Sequence, residues 1–143
     1  MAGVILLPHS FLRVDWDPDL YWHLRLGRDL VLHHLSPFID RLSFTYAGQD
    51  VRSVPVGFEV LAFSFYNYLG GDLGIQILKA LLWALAIFCA IEFSRLRRFT
   101  LPLALAFVAV IIGAHFTKFL LRPDTLTLAL FPLFLIWVYK TKE

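Results

Sequence analysis

Asp15-Trp16-Asp17-Pro18-Asp19 places three carboxylates within five residues. Like charges this close raise one another's pKa or share a cation, and alternating carboxylates supply the hard oxygen ligands that Mg²⁺, Mn²⁺ or Ca²⁺ prefer. Asp15, Asp17 and Asp19 are therefore the candidate metal ligands. A simpler account stands beside that one, because Asp17 can cap a helix N-terminus and Asp19 complements the positive end of its dipole. His23 follows Asp19 by four residues, which puts both on one helical face within reach of a hydrogen bond or a shared metal. A hydrogen-bonded histidine at the membrane interface is the plainer role. His33 and His34 sit where cations stabilise a helix C-terminus. Glu59 is the most costly acid, since it lies inside an apolar segment and needs a polar cavity or a partner. An Asp–Glu constellation across these two segments is the best candidate site.

Further along, Lys79, Glu92, His115, Lys118, Arg122 and Asp124 interrupt long apolar stretches. Most lie near an end, where long side chains reach the interface. His115 is the deepest. It has the chemistry to ligate a pigment magnesium or a haem, although an interhelical hydrogen bond satisfies it more simply. Cys89 is the single cysteine, so the redox compartment is unreadable.

The elements that must position these groups follow from periodicity. From Asp19 to Leu35, Leu20, Leu24, Leu26, Leu30, Val31 and Leu35 recur at helical spacing, with Arg25, Arg28, Asp29 and His33 on the other side. Pro18 suits the first helical position, Tyr21 and Trp22 suit an interface, and Ser36-Pro37 ends the pattern. Leu42 to Tyr46 alternates as a strand, Ala47-Gly48-Gln49 turns, and Asp50 to Val54 returns, which predicts a small β-hairpin. Pro55 to Leu69 is a second apolar segment ended by Gly70-Gly71. With Glu59 inside it, this segment reads as an interfacial helix, with a fourth span as the alternative.

Beyond Gly74 the chain is almost wholly apolar. Residues 74–94, 101–119 and 124–139 each approximate the ~20 residues that cross a ~30 Å hydrocarbon core, and in lipid such segments are helical because every backbone group must be satisfied internally. Composition agrees: 59% of residues are hydrophobic and 17% charged, with a mean hydropathy of +0.70. The expected class is an all-α integral membrane protein. Three transmembrane helices would occupy 74–143, and 1–73 would form a module of two amphipathic interfacial helices and the hairpin. The apolar run Met1 to Leu12 is too short to span and lacks the features of a secretory signal. Ala80/Ala84, Ala86/Ala90 and Ala109/Gly113 have the spacing of close helix packing.

A net charge of +2 is too small and scattered for nucleic acid. Arg95, Arg97 and Arg98, with Lys140 and Lys142, mark those ends as cytoplasmic, which is expected to place the N-terminal half on the extracytoplasmic side.

Asp17-Pro-Asp19-Leu-Tyr-Trp-His23-Leu-Arg-Leu-Gly27, Phe44-Thr-Tyr46-Ala-Gly48, Phe58-Glu59-Val-Leu, Leu69-Gly-Gly71, Leu78-Lys79-Ala-Leu and Arg122-Pro123 occur in an order that resembles the N-terminal portion of bacterial polytopic GT-C-type glycosyltransferases. Those enzymes transfer sugars from polyprenyl-phosphate donors, using an acid in the first extracytoplasmic loop as base or metal ligand. The resemblance implies catalytic roles for Asp17, Asp19 and Glu59, with Mg²⁺ or Mn²⁺ as the cation. The histidine that often precedes the Glu59 position appears here as Val56 or Gly57. Such enzymes have many more spans and several times this length, so the expectation is a shortened, non-catalytic or partner-dependent relative. Its partners would be membrane lipids and other membrane protein subunits. The enzymatic alternative is a glycosyltransferase, or half of a split one, acting on a polyprenyl-phosphate sugar.

Overall fold

The computed structural model describes residues 18–50, 55–116 and 121–141, which form five helices and, among the described residues, no strand. These are α1 (Pro18–His33), α2 (Val56–Tyr68), α3 (Asp72–Leu96), α4 (Leu101–Phe116) and α5 (Pro123–Lys140). They fall into two compact units, Trp16–Ile75 and Gln76–Glu143.

In the first unit α1 starts at Pro18, whose fixed φ suits a first turn, and carries Asp19 in that turn. Leu20, Leu24 and Gly27 turn inward at helical spacing. Asp29, expected on the solvent side with Arg25, is instead nearly covered, and the Arg25 guanidinium reaches it at 3.3 Å. The helix stops two residues short of Leu35 because His34 takes a left-handed conformation, φ 52°, and Leu35 N–H turns back onto the Asp29 carbonyl. α2 buries Phe58, Glu59, Ala62 and Phe63.

Glycine sets how near these helices come. A Cβ on Gly27 would collide with the Glu59 carbonyl oxygen and lie 2.7 Å from Phe63 Cβ. At the other end of α2, Gly70 and Gly71 adopt φ values of +84° and +68°, as the sharp stop requires. Gly71 N–H bonds the Tyr66 carbonyl at 2.7 Å, and a Cβ on Gly74 would strike the Phe65 carbonyl.

The predicted hairpin is a loop. Asp40 Oδ1 accepts the Leu42 and Ser43 N–H groups at 2.9 and 2.8 Å, and Oδ2 accepts the Ser43 hydroxyl at 2.5 Å. Those bonds wind Leu42 to Tyr46 into turns, so its alternating side chains never enter a ladder. The loop closes through an isolated antiparallel bridge between Ile39 and Asp50, while 51–54, the rest of the expected return strand, lie outside the described residues.

The second unit holds α3 from Gln76 onward, and this 25-residue helix is the one, among the described residues, long and apolar enough to cross a membrane. Leu78, Leu82, Ala86, Cys89 and Ala90 form its buried stripe. Of the small-residue pairs, Ala86/Ala90 is buried, whereas Ala80, Ala84, Ala109 and Gly113 are exposed. The α3 C-terminus closes in a Schellman motif: Phe99 N–H bonds the Ser94 carbonyl and Arg98 N–H the Arg95 carbonyl, both at 3.0 Å. Arg98 holds the left-handed position of that motif, φ 50°. The hydrophobic contact that accompanies such a stop is here Phe99 on Phe93, with ring centroids 6.1 Å apart, and Phe107 of α4 completes the cluster. At the start of α5, Thr125 N–H bonds the Arg122 carbonyl at 2.9 Å and Arg122 N–H reaches Thr125 Oγ1 at 3.4 Å.

Candidate functional site

Glu59 is buried because α2 enters its first turn directly against α1, and Gly27 lets the two backbones meet at the Glu59 carbonyl. Burying a carboxylate costs several kcal/mol unless it is paired. His23, one turn before Gly27, provides the pairing: its Nδ1 lies 3.2 Å from Glu59 Oε1. The side chain of Glu59 has no exposed surface and that of His23 retains 13%. Glu59 Oε2 has no hydrogen-bond partner among the described residues.

The imidazole is itself fixed by aromatic neighbours. Trp22 stacks on it at 6.0 Å and Phe58 meets it edge-on at 5.4 Å. With Glu59 ionised, Nδ1 must carry the proton and donate to Oε1, since a carboxylate only accepts. His23 is the more exposed member of the pair, and its ring is the part of the site that reaches toward the surface. This arrangement can hold charge, relay a proton, or accept a donor at the open oxygen.

No protein-family model, no curated protein and no solved structure matches this chain. The site therefore stands on its own geometry.

Among the residues singled out from the sequence, His23 and Glu59 come together across two helices, which links the histidine to the acid of α2. Asp19 is exposed in the first turn of α1. Asp15 and Asp17 lie outside the described residues. Among the described residues, no group of three or more histidine, cysteine or acidic side chains is placed to hold a metal ion. His115 belongs to α4, but its side chain lies outside the described ones, as does Lys118 altogether. Gly27 carries no side-chain chemistry and so is not among those candidates, yet it sets how closely α1 and α2 meet. Its signal was legible, because a glycine inside an amphipathic helix costs about 1 kcal/mol and so marks a close approach. Asp40 was missed too, since an acid at the head of a turn resembles any other solvated charge.

Proposed function

We propose that this chain is a small multi-pass protein of the bacterial inner membrane, related to the N-terminal portion of GT-C-type glycosyltransferases and working as a partner-dependent subunit of a larger membrane assembly. The observation that carries this reading is the apolar surface of the second unit. Phe88 is 61% exposed, Leu101 72% and Trp137 62%, in company with Leu81, Leu105, Val110 and Phe134. Apolar surface of this extent calls for lipid or protein cover. In this reading α3, α4 and α5 each cross the bilayer, the Arg95–Arg98 turn and Lys140 are cytoplasmic, and α1, α2 and the Asp40 loop lie on the extracytoplasmic face.

Single-cysteine labelling in a Cys89→Ala background tests it. Labels at Ser43 and Gln49 are expected to react with an impermeant reagent from the extracytoplasmic side, and a label at Thr141 is not. The reverse pattern would overturn the orientation, and purification as a stable, active monomer would overturn the subunit role.

The His23–Glu59 pair favours a second reading, a glycosyltransferase or one half of a split one. Asp17 or Asp19 would deprotonate the acceptor hydroxyl, with Mg²⁺ or Mn²⁺ on the same acids, and the His23–Glu59 pair one turn along α1 would hold the first turn in place. Membranes bearing the protein would then move sugar from a polyprenyl-phosphate donor. Transfer that is unchanged in Asp17→Asn and Asp19→Asn would remove this reading.

A further inference from the structure

The turn between α3 and α4 carries a groove whose occupant the function proposed above does not name. It has a volume of about 540 Å³, within the ~300–1,000 Å³ of ligand sites, and is walled by Ile91, Phe99, Leu105 and Val108 with Arg95 and Arg98 beside them. Its two cations are not equivalent. Arg95 gives one guanidinium nitrogen to Glu92 Oε1 at 2.6 Å, whereas Arg98 has no ion-pair partner among the described residues. The third arginine of the turn, Arg97, lies over the Tyr139 ring at 5.3 Å.

The backbone adds a second observation. Arg98 occupies the left-handed position of the Schellman motif, where glycine is the residue of least strain and a side chain carries a penalty. An arginine there is badly placed for stability and well placed to hold an unpaired guanidinium against an apolar groove.

We infer that this groove binds one anionic phospholipid, with the headgroup phosphate on Arg98 and an acyl chain along Ile91, Leu105 and Val108. Charge complementarity selects the occupant. An apolar wall beside an uncompensated guanidinium matches a ligand that is apolar along its length and anionic at its end, and guanidinium forks bind phosphate oxygens in pairs. The site presupposes the membrane reading proposed above, under which this turn faces the cytoplasmic leaflet, where anionic lipids give basic residues their surface attraction.

The test uses the full chain reconstituted in nanodiscs of phosphatidylcholine mixed with phosphatidylglycerol, then released for native mass spectrometry. The wild-type protein is expected to retain phosphatidylglycerol in preference to phosphatidylcholine. Arg98→Gly keeps the left-handed turn and removes the cation, so the preference is expected to fall about tenfold, the size of one charge-assisted contact. Arg98→Lys is expected to keep part of it. Leu105→Asn, at an exposed wall position, is expected to weaken retention while leaving the cation in place. Equal phosphatidylglycerol retention by wild type and Arg98→Gly would overturn the site although the protein is in the membrane. Unchanged retention by Leu105→Asn would overturn the acyl-chain contact. A chain that never enters nanodiscs, and is released from membranes by alkaline carbonate, would overturn the membrane reading itself.

Discussion

His23 Nδ1 and Glu59 Oε1 lie 3.2 Å apart, joining α1 to α2 through a carboxylate with no exposed surface. Because Glu59 Oε2 already has no partner among the described residues, His23 carries the acid's whole side-chain hydrogen bonding there. His23→Ala is therefore expected to destabilise the first unit by about 3 kcal/mol, the range for breaking a buried pair from one side. Replacing both with apolar residues, His23→Leu with Glu59→Met, is expected to be far milder, since no buried charge is left alone. Thermal unfolding in detergent compares the two. Equal losses would mean that the pair contributes packing only.

Gly27 and Gly57 make a matched test of the α1–α2 contact. A Cβ at Gly27 meets the Glu59 carbonyl and Phe63, whereas one at Gly57 meets nothing within 4 Å. Gly27→Ala is expected to cost about 1–3 kcal/mol through overpacking. Gly57→Ala is expected to stabilise by up to about 1 kcal/mol, from helix propensity alone. The same unfolding measurement decides it, and a neutral Gly27→Ala would refute the close approach.

Asp40 links the loop to pH. The Ser43 hydroxyl foremost, then the Ser43 and Leu42 N–H groups, hold its carboxyl below the usual carboxylate range. A group whose pKa is lowered by folding contributes stability above its unfolded pKa and loses it as pH falls through the folded one. The Leu42 and Ser43 amides are accordingly expected to lose hydrogen-exchange protection in acid, below the ordinary aspartate range, and to keep it near neutrality. Asp40→Asn is expected to flatten that dependence. Protection that does not change with pH would show that the carboxylate is not what holds the turn.

Arg98 at φ 50° predicts a gain from its own removal. Arg98→Gly is expected to stabilise the α3–α4 turn by about 1 kcal/mol, because glycine enters the left-handed region without a Cβ penalty. Arg98→Ala keeps the Cβ and is expected to gain little. Unfolding midpoints of the two variants separate backbone strain from charge. Similar midpoints would place no strain at this residue.

The helices were legible in the sequence because their causes are local. Leucines at helical spacing and Pro18 predict α1, Gly70-Gly71 predicts the end of α2, and the apolar run from Gly74 predicts α3, each within a few residues of the observed bounds. The Leu42–Tyr46 strand failed for an equally local reason. Period-two alternation describes which way side chains point, but a strand also needs a partner edge, and Asp40 captures the backbone donors first.

What the sequence determined by itself is that residue 59 carries an acid in an apolar segment and must find a partner, that residue 23 offers a histidine, and that α3 is apolar enough to enter a membrane. Tertiary structure alone decided that these two residues are each other's partner. Their separation of 36 positions leaves no periodicity to read, and the pairing depends on how closely α1 and α2 approach, a distance set by the missing Cβ of Gly27. The same holds at Arg98. Its charge is plain in the sequence, but its left-handed backbone and its place beside an apolar groove exist only once α3 has stopped and α4 has turned back toward it.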